Sequence, residues 1–497
     1  MEPTMRIFSL FAGLLLISAA ACSDTPTGAA GAPTALASAV SLPDSSVAGA
    51  VADVAVLVTD RANRPVPGAE VDFVVTAGGG QVAAARVQAD AEGIARTAWT
   101  TGAVEGTNTL RASLAQVPAS QVTFSTRGAR VKPQVSAGVS HTCALNTRGR
   151  AYCWGRDTNG QLGDGPETTN RLVPTPVASG LAFWSISAGA QHTCGLAADQ
   201  RVYCWGMGVD GQLGTDRTVD SRVPAAVAVA GNPPFVHVEA GGLHTCALTA
   251  KGETWCWGRN MAGQLGAPAP LTHAPAPRRV ENAPAFVTLT AGDNHTCGLT
   301  AAGEAHCWGY NVLGQLGDGT QLSRSSLARV PGIAFQVIEG GAAFTCGQAV
   351  SGYTYCWGSD NFEQLGNADG GSDCDIQGFR HRCSTTPTAV QPRTAYGVLG
   401  LGERHACGLA PGGGSAWCWG ANGSGQLGSG TTNPSWTPVA VQDQQTYVDI
   451  SAGQFHTCAI NRADVVQCWG GNDVGQLGDG TTARRLTPTD VFGTTLR

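Results

Sequence analysis

The sequence predicts an all-β chain in two parts, a small β-sandwich followed by a closed ring of seven like units. Three observations carry that expectation. Glycine supplies 68 of the 497 residues and charged side chains only 13%, and no long stretch shows the apolar spacing of an amphipathic helix. Between about 41 and 127, β-type runs alternate with turn residues. Beyond 131, a string containing two cysteines and Trp-Gly returns seven times at a period of about fifty residues, which signals a propeller or a solenoid.

The chain opens with one arginine, an apolar run from Ile7 to Ile17, and small residues leading to Cys22. Such a run is too short for a membrane span and reads as an export signal. It resembles a bacterial lipoprotein signal, with Ala19 where that family usually has Leu. The resemblance implies removal of residues 1–21, lipidation of Cys22 and, because Ser23 rather than Asp follows it, an outer-membrane or surface position in the cell envelope. Residues 22–40 are small, polar and punctuated by proline, as in a flexible tether.

From 41 to 127 the turns fall at Pro67-Gly68, Gly78 to Gly80 and Glu92-Gly93. That spacing suits a small sandwich of short strands. The segment contains no cysteine, so its core alone must hold it. The strings "VTDRANRPVPGAEVDFVVTAGGG" and "ADAEGIARTAWTTGAVEGTNTLRA" resemble bacterial Ig-like domains of the invasin and intimin type, which implies a spacer or stalk.

In the repeats the first cysteine recurs at Cys143, Cys194, Cys246, Cys297, Cys346, Cys407 and Cys458. The second recurs at Cys153, Cys204, Cys256, Cys307, Cys356, Cys418 and Cys468. Trp-Gly follows each second cysteine, and a turn of the type "GQLG" comes next, with Glu363 replacing its first glycine in copy five. Each pair flanks a turn, so folding about it sets the two cysteines opposite each other on antiparallel strands, near disulfide range. Cys374 and Cys383, in an insertion after copy five, form an eighth expected pair. Zinc sites show tighter spacing than this, and no metal is expected. With Cys22 set aside, sixteen of the seventeen cysteines remain, the even number that an exported disulfide framework needs.

Seven tandem units close best as a ring, since an open stack leaves two apolar ends bare. The units over 131–497 resemble the repeats of the regulator of chromosome condensation family, whose fold is a seven-bladed β-propeller. The whole prediction is therefore an Ig-like β-sandwich followed by a seven-bladed β-propeller. The closing text "LTPTDVFG" echoes the text that follows "GQLGDG" in earlier units, such as "LVPTPVASG"; copy one is read as lacking its own version, and the C-terminal strand is expected to complete the first blade as a clasp between the two ends.

His141, His192, His244, His295, His405 and His456 precede the first cysteine, with Phe344 in copy five. Six equivalent histidines point to structure, since a catalytic histidine is normally a singleton. The seven Trp-Gly tryptophans read as packing between units. The "GQLGDG" strings lack the Lys-Ser/Thr ending of a phosphate loop and are turns. The insertion "DGGSDCDIQG" offers Asp369, Asp373 and Asp375 to calcium but departs from the usual loop pattern. No serine, histidine and aspartate set announces an enzyme, and no cofactor is expected. The net charge of -6, with Lys132 and Lys251 the only lysines, argues against nucleic acid.

Recognition is expected where the copies differ. The two positions before the recurring histidine vary from copy to copy. The family resemblance implies that this column reaches a flat face that makes protein contacts, which selects Leu243, Asp293, Asn294, Glu403, Arg404, Gln454 and Phe455. The expected partner is a protein or glycan, bound without catalysis by a lipid-anchored monomer. A guanine nucleotide exchange factor, as in the family's founding member, is the alternative that the export signal opposes; an enzyme working in the central channel is a third.

Overall fold

The computed structural model describes residues 31–40, 42, 45–47, 51–102, 105–368, 372–376, 378–443 and 445–495. The leader, Cys22, the tether to residue 30 and Asp369 lie outside them. Among the described residues every regular element is a strand.

Nine strands form the N-terminal part, in one sheet of four and one of five. Val54, Val56 and Val58 of Val51–Thr59, Val71 and Phe73 of Glu70–Ala77, Trp99 of Ile94–Thr101, Leu110 of Gly106–Leu114 and Phe124 of Gln121–Ala129 share one buried core. Alternate residues of these strands point inward, the period-two pattern of a sheet with one wet face. The sequence expects a tether as far as residue 40, and here it is corrected. Ala35–Ser38 is a strand paired antiparallel with Val51–Thr59, Ala35 opposite Thr59. Its small residues suit an edge position.

Seven further sheets follow in chain order, six of four strands and one of five. In each, neighbouring strands pair antiparallel; in the five-stranded sheet Thr354–Ser359 pairs with Phe379–Ala389, and Ser372–Ile376 adds at its outer edge. The first strands, from Gln134–Ala137 to Tyr447–Ala452, each touch the first strand of the next sheet, and the seventh touches the first. These are propeller-like repeats surrounding an axis.

The expected clasp is absent. The first sheet takes all four strands from Gln134–Ala137, His141–Leu145, Ala151–Gly155 and Arg171–Pro176. The C-terminal strand Arg485–Thr495 pairs only within the seventh sheet. The physical reason is that "LVPTPVASG" follows the turn of copy one itself, so copy one already owns its outer strand. The seam between first and seventh sheets is instead lateral. The backbone N–H groups of Val135 and Ala137 donate to Asp449 Oδ2 and Ser451 Oγ, both at 3.0 Å, and Trp154 packs among Cys458, Ile460 and Leu477.

The paired cysteines stand in register on the two middle strands. Cys143 opposes Cys153 with 4.1 Å between their Cα atoms, and the two are joined; the pairs beginning at Cys194, Cys246, Cys297, Cys346, Cys407 and Cys458 repeat this. Cys374 is joined to Cys383 across the hairpin of Ser372–Ile376 and Phe379–Ala389.

Between sheets, one set of contacts recurs. His141 Nε2 lies 2.9 Å from Thr193 Oγ1 of the next sheet, and that hydroxyl donates to the Gln161 carbonyl at 2.9 Å. The hydroxyl proton is thus committed to Gln161, so Nε2 carries the histidine proton and donates it to Thr193. The same bridge joins His192 to Thr245, His244 to Thr296, His295 to Thr345, His405 to Thr457 and His456 to Thr142. One interface lacks it on both sides: Phe344 replaces the histidine, Ala406 replaces the threonine, and both are buried in one apolar cluster. The "GQLG" turn takes part as well. Its Gln carbonyl accepts the indole N–H of the next sheet's tryptophan at 2.9–3.0 Å in six of the seven sheets. Its last glycine has positive φ and lies against that indole; a Cβ on Gly163 would come within 2.7 Å of Trp205.

Candidate functional site

The column before the recurring histidine divides in two. Its first members, Asp293, Glu403 and Gln454 among them, line the mouth of the axial channel together with Val139, Ala190, Gly242 and Ala342. Backbone bonds fix this mouth: the N–H groups of Asp293 and Glu403 donate to Ala342 and Gly453 of the following sheets, at 3.1 and 3.3 Å. The second members, Leu243, Asn294, Arg404 and Phe455, stand outside the mouth on the same face. Their carbonyls accept the N–H of Arg259, Tyr310, Ala421 and Gly471 at 2.7–2.9 Å, which draws the loops after Trp-Gly onto that face.

The structure joins three of the predicted residues directly. Arg404 Nε donates to Glu403 Oε1 at 2.8 Å, and Gln454 Nε2 donates to Glu403 Oε2. The Arg404 guanidinium lies over the Phe362 ring, 4.2 Å from its centroid, a cation–π contact that holds the side chain in place. Phe455 follows Gln454 in the chain and is partly exposed. Asn294 accepts a bond from Gln264 Nε2 at 3.4 Å. Asp293 is exposed at the channel mouth, yet burial by the surrounding walls and then the Glu403 charge push its carboxyl up to about 6. Leu243 is only half-buried.

Sequence reasoning missed two groups. The loops after Trp-Gly carry exposed apolar side chains: Val209, Met261 and Tyr310, Met261 at 75%. Their signal was available, since the residues between Trp-Gly and the "GQLG" turn also vary among copies. Deeper in the channel lie Glu239 and Glu339, five positions before the recurring histidine or phenylalanine, where other copies have small residues. Ser187 Oγ donates to Glu239 at 3.1 Å. Burial, followed by the charges of Glu239 and Asp449, raises the Glu339 carboxyl well above the usual carboxylate range.

The six bridging histidines take no part in any surface site. Burial holds them neutral, at about 4 for His141 and His295 and about 3 for His192, His244, His405 and His456. The Asp375 carboxylate accepts the Gly378 N–H at 2.8 Å and so turns into its own hairpin. Among the described residues no group of three or more histidine, cysteine, aspartate or glutamate side chains could hold a metal.

A family model described as the RCC1-like domain matches residues 57–391, and two models of the regulator of chromosome condensation (RCC1) repeat match 413–460 and 447–476. The first match begins within the N-terminal sheets, ahead of the repeats. The chain is 34% identical over 207 residues to the ultraviolet-B receptor UVR8 of Arabidopsis thaliana, covering 41% of this chain and 46% of the receptor. It is 33% identical over 190 residues to the human probable E3 ubiquitin-protein ligase HERC6, covering 37% of this chain and 19% of that protein. The match thus spans less than half the length of either curated relative. Among solved structures, yeast RCC1 (Prp20) bound to Kap60 overlays with a TM-score of 0.57 at 20% identity, covering 64% of this chain and 77% of that one.

Proposed function

This chain belongs to the RCC1-like domain family, and on that premise we propose that it is a non-enzymatic binding scaffold of the cell envelope. The seven sheets serve as seven blades of a propeller, and the two N-terminal sheets as an Ig-like stalk that carries it away from a lipid anchor at Cys22. The partner is a protein or glycan outside the cytoplasm, and the scaffold works as a monomer without nucleic acid or cofactor. The observation that carries this reading is the composition of one face. The loops after Trp-Gly expose Val209, Met261 and Tyr310, while Glu403 at the channel mouth is held by Arg404 and Gln454, with the Arg404 guanidinium stacked on Phe362. Exposed apolar side chains together with fixed charges suit protein recognition. The buried histidines are committed to neighbouring blades.

Yeast RCC1 held by Kap60 supports a protein-binding role for the fold. The ligase name of HERC6 belongs to a protein of which this chain covers 19%. The export signal and the cysteine pairing favour the envelope over a cytosolic exchange factor. The test is capture of envelope proteins by purified propeller with and without Met261→Asp and Arg404→Ala. Equal capture by both removes this face from the proposal. Radiolabelled palmitate in wild type but not in a Cys22→Ser chain is the expected outcome for the anchor.

A further inference from the structure

One loop of the first sheet has lost donors that its sister loops keep. In the fourth and seventh sheets an asparagine follows the Trp-Gly strand, and its amide donates to an aspartate seven residues on. Asn311 Nδ2 lies 3.2 Å from Asp318 Oδ1, and Asn472 Nδ2 lies 3.1 Å from Asp479 Oδ1. The same carboxylate oxygen also accepts the backbone N–H and the hydroxyl of the threonine two residues later, Thr320 or Thr481, at 2.7–3.0 Å. The amide donates further to backbone carbonyls of the loop, those of Thr320 and Leu322 or of Thr481 and Ala483.

In the first sheet these positions hold Asp157, Asp164 and Pro166. Asp157 replaces the amide with a carboxylate, and Pro166 has neither an N–H nor a hydroxyl. All three donors to the Asp164 oxygen are gone at once. The rest of the geometry persists. Asp157 Oδ1 accepts the Leu162 N–H at 2.9 Å, as Asn311 and Asn472 accept those of Leu316 and Leu477. Asp164 Oδ2 accepts Arg171 Nε at 2.6 Å, as Asp479 Oδ2 accepts Arg485. What is left over is Asp157 Oδ2 and Asp164 Oδ1. Both are fully buried without a hydrogen-bond partner, Asp157 at 0% exposure and the Asp164 side chain at 2%. No other copy puts two carboxylates here: the corresponding pairs are Gly208 and Thr215, Asn260 and Ala267, Asn311 and Asp318, Asp360 and Asn367, Asn422 and Ser429, and Asn472 and Asp479.

We propose that Asp157 Oδ2 and Asp164 Oδ1 bind a calcium ion at the place where the sister loops keep an amide group. Two buried carboxylate oxygens with no donor need positive charge. Arg171 supplies one such charge, already directed at Asp164 Oδ2, while exposed Glu167 approaches the same guanidinium at 3.4 Å. Arg222 is spent on the Pro166 carbonyl, at 2.6 Å. The donor set is all oxygen, which suits calcium's tolerance for irregular oxygen shells, completed by water, better than magnesium's strict octahedron. Burial, with the Asp164 charge adding to it, pushes the Asp157 carboxyl up to about 6; a bound cation would hold it ionised.

The test is thermal and chemical unfolding of the oxidised full chain in calcium chloride and in EDTA. At a hundredfold excess of calcium over its dissociation constant, the folded-to-unfolded ratio is expected to rise about a hundredfold. Titration calorimetry with calcium chloride should show one saturable site. Asp157→Asn restores the sister-loop amide; it should fold as well as wild type in EDTA and lose both the calcium response and the calorimetric site. Equal stability of wild type in calcium and EDTA overturns the proposal. So does a calcium response that survives in Asp157→Asn.

Discussion

Acidification from pH 7 to pH 5 should weaken this protein through the histidines between its sheets. Each of the six bridging rings is buried and neutral, with a folded value of about 3 or 4 against about 6.5 when unfolded. The folded value is the depressed one, so between the two the unfolded chain binds more protons and stability falls as the pH falls. For one ring the loss between pH 7 and pH 5 is about 2 kcal/mol, and for all six it is on the order of 10 kcal/mol. Asp157, raised to about 6, acts in the opposite direction and offsets about 1 kcal/mol of it; the raised carboxyls of Asp293, Glu339 and Asp449 act the same way.

A paired substitution isolates one ring from that background. His295→Phe with Thr345→Ala copies what the chain already does at Phe344 and Ala406. The Gln315 carbonyl keeps the Trp357 indole as its donor at 3.0 Å, so no new orphan is created. Urea unfolding at both pH values should show the variant losing about 2 kcal/mol less than wild type on acidification. An identical loss in the two proteins refutes the assignment of acid sensitivity to these rings.

Three further outcomes follow from the same architecture. Gly241→Ala should cost about 2–3 kcal/mol in urea unfolding, because its Cβ would lie 2.5 Å from the Gly292 carbonyl and from the His244 ring. Glu363→Gly should raise stability by about 1 kcal/mol, since Glu363 holds φ at 69° where the other copies have glycine; no gain in midpoint denies that strain. Replacing Cys246 and Cys256 together by alanine should cost about 2–3 kcal/mol and leave the remaining pairs oxidised by thiol titration.

The repeat was legible because its contacts are local or periodic. Cysteines ten apart about a turn dictate the hairpin register, and a fifty-residue period dictates like sheets. The histidines were read correctly as structural, yet their partners were not, because each threonine lies some fifty residues away on another sheet. The joint loss of Phe344's and Ala406's polar counterparts was visible in the sequence only once those two positions were known to touch. The clasp was misread for a related reason: similar outer-strand text ends every copy, and text alone does not say which sheet receives it. On the recognition face, variation among copies identified the column but not its division into channel-lining and outward members. That division depends on the strand ending beside the recurring glycine, whose carbonyl the preceding sheet approaches.

The lateral seam gives this molecule a modular topology. Every sheet of the ring is complete within one continuous segment, so no strand is borrowed across the chain ends. Excising one unit would delete a whole sheet and orphan none of its neighbours' edges, and duplicating one would insert a finished part. New ends could equally be opened at any of the joints, with the old ends linked, because the joint at the termini is built like the others. A ring locked by a shared strand has one privileged opening; this one has none.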